Sequence, residues 1–171
     1  MRENRHRPIL SVWLPVCLVV AGLLGTSAPP ADAAGTWLWP ISGPVIRAFD
    51  PPNSPYGSGH RGIDIAGPAG TQIVAPEAGT VTFAGQVGGH LFLTLAHGGG
   101  VSSTYSWLSG LLVHAGDLVS RGQAIALSGG CHPGDLVPCL HMGVKLGVEY
   151  VNPLDYLSGL DVGSFIRLAP L

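Results

Sequence analysis

Charged residues are scarce in this sequence, and lysine is nearly absent. Charged side chains make up 11% of the 171 residues, the formal net charge is −2, and Lys145 is the only lysine. No cluster of basic residues follows the first few positions. Phosphate backbones are bound mainly by clustered lysine and arginine side chains, so we expect no nucleic-acid partner.

Long apolar runs are missing after residue 34. Before it, three arginines in the first seven residues precede an apolar run over residues 9–24, and small residues ending in Ala33 follow. This order is typical of a secretory signal. The run is shorter than the roughly 20 residues that span a bilayer. We predict a signal peptide over residues 1–33, with a retained anchor as the alternative, and an extracellular, periplasmic or cell-wall location.

Sustained helical periodicity is also lacking, whereas glycine and proline are abundant. The 26 glycines and 15 prolines separate short runs of strand-forming residues, a pattern that favours antiparallel β structure. We predict an all-β domain over residues 34–157 and a short C-terminal tail over residues 158–171. The predicted strands cover residues 62–65, 72–75, 79–84, 91–97, 101–107, 111–113, 124–127 and 140–146, with a short turn at 153–157.

Cysteine is rare, and two of the three cysteines lie in the predicted mature domain. Cys17 falls within the predicted signal, which leaves Cys131 and Cys139. In an oxidising compartment such a pair is expected to form a disulfide. The alternatives are two free thiols, or one thiolate bound to a metal.

Two separate stretches carry residues of the kinds that bind metals. His60 and Asp64 are four residues apart, a spacing that puts both on one face of a strand. Cys139 and His141 share a face, while the apolar residues 140, 142 and 144 share the other. Two histidines and one aspartate are a ligand set that zinc accepts, with a fourth position for water. Taken singly, each of the three also suits an ordinary hydrogen-bonding role, such as the capping of a turn by Asp64.

From residue 39 to residue 157 the sequence resembles the lysostaphin/LytM zinc endopeptidases, with motifs in the family's order. The resemblance implies that His60, Asp64 and His141 bind one zinc ion. It also implies a compact antiparallel sheet with a surface groove, of the duplicated hybrid motif type, and peptidoglycan stem or cross-bridge peptides as substrate. The matching segments are GHRGIDIA (59–66), PAGT (68–71), AP (75–76), GTV (79–81), HG (97–98), TY (104–105), GDLV (116–119), GQ (122–123), LH (140–141) and VNPL (151–154).

The chain departs from this family at two positions. Members of the family carry two further histidines beside the metal, and here Trp107 and Cys139 stand in their places. Tryptophan cannot take up a proton, and a disulfide-bonded cysteine can neither donate nor accept one. His132 is the candidate substitute, because a disulfide would tie its loop to Cys139. Catalytic residues are otherwise not identified.

Four functions therefore remain open. The chain is a working endopeptidase with a rebuilt acid–base group, or an inactive relative that binds the cell wall or regulates another wall hydrolase. In a third reading Cys139 binds zinc as a thiolate and closes the site. A fourth is a biotinyl or lipoyl carrier, which residues 79–81 and 116–123 also resemble. A carrier needs a lysine at an exposed hairpin tip, and Lys145 follows the His141 motif instead.

Overall fold

The computed structural model describes residues 35–54, 57–132 and 137–158. The predicted signal peptide and nearly all of the predicted tail lie outside the described residues. Among the residues described, no helix is long and apolar enough to cross a membrane.

Within the described residues, ten strands form one sheet in which all the strand pairs are antiparallel, as the glycine-punctuated β runs predict. The neighbouring strands follow the order β1-β2-β9-β6-β5-β4-β7, while β10 pairs with β9 and β8 pairs with both β3 and β6. The prediction of an all-β antiparallel fold is confirmed. The strands are β1 (Val45–Arg47), β2 (Ile63–Ala66), β3 (Gln72–Val74), β4 (Gly79–Val87), β5 (His90–Ala96), β6 (Val101–Leu111), β7 (Leu118–Val119), β8 (Ala124–Ser128), β9 (Cys139–Leu146) and β10 (Glu149–Val151).

Three strands and most strand boundaries differ from the sequence prediction, the boundaries mainly by one to four residues. The predicted strand at 111–113 is not separate, since β6 continues to Leu111. The strands β1, β7 and β10 were not predicted; each has two or three residues. Runs this short show no readable alternation of polar and apolar residues. The predicted turn at 153–157 is a 3-10 turn over Pro153–Asp155, capped by the Asn152 side chain.

The long strand β6 changes its partner in the middle. Its first half pairs with β9 up to Ser106, and its second half pairs with β8 from Leu108 onward. Trp107 lies between them with φ of 53°, in the left-handed region that residues other than glycine rarely adopt. Irregularities of this kind bend a strand and redirect a side chain. The backbone at Trp107 therefore interrupts the regular pairing of β6.

The core lies on one face of the central strands. On β9 the side chains of Leu140, Met142 and Val144 are fully buried in it, together with Tyr105 from β6. The other face of β9 is also covered, because Cys139 and His141 are buried too. The predicted alternation on β9 is therefore present, but both faces of this strand are buried.

His97 joins the ends of the central strands through a chain of hydrogen bonds. Its Nδ1–H donates to the Ala78 carbonyl (3.0 Å), and its Nε2 accepts from the Ser103 hydroxyl (2.7 Å). The Tyr105 hydroxyl in turn donates to Ser103 Oγ (3.0 Å). Burial lowers the pKa of His97, against the opposing effects of the Ala78 carbonyl and the Glu77 charge. The histidine is therefore neutral in the folded protein and has a role in the fold.

We expect His97 to make stability depend on pH. Because the folded-state pKa is lowered, its contribution is complete above the unfolded pKa of about 6.5 and is lost as the pH falls. His97→Ala should lower the free energy of unfolding by about 1–3 kcal/mol at neutral pH, since Ser103 loses a buried partner. Denaturant titrations of both proteins from about pH 8 to about pH 5 should show this difference shrinking. The exposed His114 provides the control, because His114→Ala should change neither the free energy of unfolding nor its dependence on pH. A constant difference across this range would contradict the assignment.

Candidate metal site

The pairing of β2 with β9 sets two polar side chains opposite each other. Asp64 and His141 are direct partners in this antiparallel register, so their side chains leave the same face of the sheet. His141 is also the partner of Ser106 on β6, which fixes it from the other side. His141 Nδ1 lies 2.8 Å from Asp64 Oδ1.

His60 reaches the same point from a segment that precedes β2. It lies outside the strand, contrary to the simplest reading of its spacing from Asp64, and forms a bridge with Asp50. Its Nδ1–H donates to the Ala48 carbonyl at 2.7 Å. A carbonyl only accepts, so Nδ1 carries a proton, and in the neutral tautomer this leaves the Nε2 lone pair for a metal. Nε2 lies 3.1 Å from Asp64 Oδ1 and 3.1 Å from His141 Nδ1.

His132 adds a fourth donor from the loop after β8. Its Nε2 lies 3.1 Å from Asp64 Oδ2 and 3.3 Å from His60 Nε2. The four donor atoms of His60, Asp64, His132 and His141 all lie within 4.8 Å of one another. His60, Asp64 and His141 are buried, whereas the His132 side chain is 23% exposed. His132 is thus the member of the cluster nearest to solvent.

The electrostatics of the cluster suit a divalent cation. Burial alone would raise the pKa of Asp64, but the hydrogen bond with His141 and the neighbouring histidines bring it below its usual value. Burial lowers the pKa of His132, although Asp64 opposes the shift. An ionised carboxylate and neutral imidazoles are the forms in which these side chains bind metals. Their nitrogens and oxygens face one point, so the residues fit a zinc ion.

The two positions that depart from the family border this cluster. The Trp107 ring lies 4.7 Å from the His132 ring and 5.8 Å from the His141 ring, measured between centroids. Cys139 is joined to Cys131 by a disulfide, with the two Cα atoms 5.3 Å apart. The bond leaves Cys139 no thiolate to offer, so the structure does not support the reading in which Cys139 closes the metal site.

A cleft of about 430 Å³ opens beside the cluster. Trp107 and His132 lie on its wall, and Gly129, Gly130 and Cys131 continue the wall along the loop. The cleft is large enough for part of an extended peptide, and His132 belongs both to its wall and to the exposed edge of the His/Asp cluster.

Sequence reasoning did not identify two contributions to this site. The Ala48 carbonyl, which orients His60, is a backbone group and has no signal in the side-chain pattern. Gly62 is the other: a Cβ there would lie 2.2 Å from the Met142 carbonyl oxygen and 2.9 Å from His141 Cε1. The signal in the sequence that could have identified Gly62 is its place between His60 and Asp64.

Comparisons with known proteins match most of this domain. The model of Peptidase family M23 matches residues 58–153. The uncharacterized protein Rv2891 of Mycobacterium tuberculosis is 37% identical over 164 residues, covering 91% of this chain and 63% of its own length. Murein hydrolase activator NlpD of Salmonella dublin is 33% identical over 147 residues, covering 81% of this chain and 37% of its own. The chain thus spans less than two thirds of these relatives.

A solved structure shares the fold. The zinc-containing peptidase from Vibrio cholerae superposes with a TM-score of 0.60 at 27% identity, covering 71% of this chain and 40% of that one. The fold described above is therefore shared with the matched part of that structure.

We expect the site to depend on the close approach at Gly62. Gly62→Ala should push β2 away from β9 and separate Asp64 from His141, lowering stability by about 1–3 kcal/mol. Zinc affinity, measured by chelator competition, should fall with it. Gly85→Ala is the matched control, because a Cβ there meets only the Phe83 ring, with its nearest atom at 3.5 Å. Equal melting temperatures and equal affinities for the two variants would show that the approach at Gly62 is not needed.

Proposed function

The chain belongs to Peptidase family M23, and on that basis we propose that it binds one zinc ion and recognises peptidoglycan peptides without cutting them. The observation that carries the proposal is the chemistry beside the cluster. Trp107 and the disulfide-bonded Cys139 occupy the positions where the family resemblance implies two histidines. Neither can take a proton from water or give one to a leaving amine.

The residues proposed to hold zinc are His60, Asp64 and His141. Their donor atoms lie 2.8 to 3.1 Å from one another in the buried cluster. When bound in such sites, zinc polarises a peptide carbonyl and lowers the pKa of bound water toward about 7. In this chain the ligands supply the charge and the orientation, while the groups that move protons in hydrolysis are missing. General acid–base help is worth about 10²- to 10⁴-fold, so its loss removes much of the rate.

A regulatory role in the cell envelope agrees with the relatives. One of them is named a murein hydrolase activator, and the matched Vibrio cholerae structure is described as a zinc-containing peptidase. We propose that the open cleft beside Trp107 receives a stem or cross-bridge peptide of peptidoglycan. A second wall hydrolase is the protein partner that this role would serve.

Export of the chain is part of the proposal. The arginine-rich and apolar start of the sequence has the order of a secretory signal over residues 1–33. A disulfide between Cys131 and Cys139 suits the oxidising conditions outside the cytoplasm. The mature domain would then cover residues 34–157, followed by the tail at 158–171.

A second candidate function is favoured by the position of His132. Its Nε2 lies 3.1 Å from Asp64, and its side chain is partly exposed at the cleft. In a working endopeptidase this imidazole would be the proton-transfer group that replaces the missing histidines. The two candidates differ in whether peptide bonds are cut.

A cleavage and binding assay separates them. The zinc-loaded chain is incubated with purified peptidoglycan and with short stem peptides, and new amino termini and sedimented protein are both measured. We expect binding to the peptidoglycan without new termini. Trp107→Ala should weaken binding by about two- to tenfold, the range for loss of an aromatic contact.

Two further variants decide the outcome if cleavage is seen. New termini that disappear with His60→Ala would replace the first proposal with the endopeptidase. Loss of the same cleavage with His132→Ala, in protein that still binds zinc as tightly as the unchanged chain, would assign the proton transfer to His132. Gly85→Ala, on a strand away from the cleft lining, serves as the control for both assays.

A further inference from the structure

We propose that His132 is a fourth ligand to the zinc ion, so that four protein side chains enclose it. This rests on the proposed zinc site of His60, Asp64 and His141. It goes beyond that site, because the family resemblance implies three ligands and an open position for water. The chemical class of the ion is unchanged, but its coordination sphere contains three histidines and one carboxylate.

The distances between the donor atoms support four ligands around one point. Bonds of about 2.0–2.1 Å to a tetrahedral zinc put neighbouring ligand atoms about 3.3 Å apart. His132 Nε2 lies 3.3 Å from His60 Nε2 and 3.1 Å from Asp64 Oδ2. These separations are close to those within the buried trio, which run from 2.8 to 3.1 Å, and all four donor atoms lie within 4.8 Å of one another. His132 therefore occupies a ligand position and not a more distant one.

The disulfide places His132 there. Cys131 precedes His132 and is bonded to Cys139, which lies two residues before His141 on β9. The loop that carries His132 is thereby tied to the strand that carries His141. The bond restricts how far the imidazole can move from the cluster, and less ordering entropy is lost when it binds the ion.

Trp107 holds the same loop from the side of β6. Its ring lies 4.7 Å from the His132 ring. A Cβ at Gly129 would lie 2.4 Å from the Trp107 carbonyl oxygen, so the loop passes directly against this residue. The two residues found where the family has histidines, Trp107 and Cys139, thus both support His132. An ion enclosed in this way has no position left for a reacting water.

Zinc affinity and ligand counting test this inference. In chelator competition His132→Ala should bind zinc at least about tenfold more weakly than the unchanged chain. X-ray absorption at the zinc edge should show three histidine ligands in the unchanged chain and two in the variant. His90→Ala is the control, because the His90 ring lies 6.5 Å from the Trp107 ring, between centroids, and His90 is not among the residues of the cluster. It should change neither quantity.

The disulfide is tested separately. The double variant Cys131→Ser and Cys139→Ser should also weaken zinc binding, since His132 is then less confined. Circular dichroism of the metal-free proteins shows whether each variant is folded, and His132→Gln replaces His132→Ala if it is not. An unchanged affinity in the double variant would overturn the role given to the disulfide.

The outcomes distinguish this inference from the proposed function. If the unchanged chain binds zinc and His60→Ala abolishes binding, while His132→Ala keeps both the affinity and three histidine ligands, the fourth ligand is refuted and the zinc site stands. If the unchanged chain binds no zinc, the zinc site itself fails and the fourth ligand fails with it. Loss of one histidine ligand in His132→Ala, with no such loss in His90→Ala, supports the closed site.

Discussion

The antiparallel pairing of β2 with β9 is the constraint on which the site depends. It sets Asp64 directly opposite His141, two residues that are 77 positions apart in the chain. An ionised carboxylate is costly to bury unless polar partners surround it. The imidazoles supply those partners, and the Ala48 carbonyl orients His60 toward the same point. The buried cluster and the sheet register therefore require each other.

Trp107 and Cys139, which stand where the family resemblance implies histidines, both lie beside the cluster. Trp107 lies at the irregularity in strand β6, where the backbone departs from regular pairing. Its ring contacts the rings of His132 and His141. Cys139 keeps its place on β9, but its sulfur is bonded to Cys131. Both side chains contact or hold the loop that carries His132, and neither can transfer a proton.

The family resemblance read from the sequence is confirmed by the match to Peptidase family M23 and by the shared fold of the Vibrio cholerae peptidase. Its motifs were readable because they combine unusual residue types at fixed spacings. His60, Asp64 and His141 were selected as ligands in this way, and the structure brings the three side chains together. Their role toward zinc remains a proposal. The β-fold was predictable for a different reason, since glycine and proline divide the chain into short alternating runs.

Alternation and composition by themselves determined the strand content, the face of β9 that enters the core, and the residue types available for a metal. The tertiary structure alone decided that His132 joins the cluster, that Trp107 adopts a left-handed backbone, and that the Ala48 carbonyl orients His60. Local sequence carries the period of a strand and the chemistry of a side chain. The contacts of His132 span 72 positions to His60 and 68 to Asp64, and only the packing of the loop after β8 against β6 and β9 could set them.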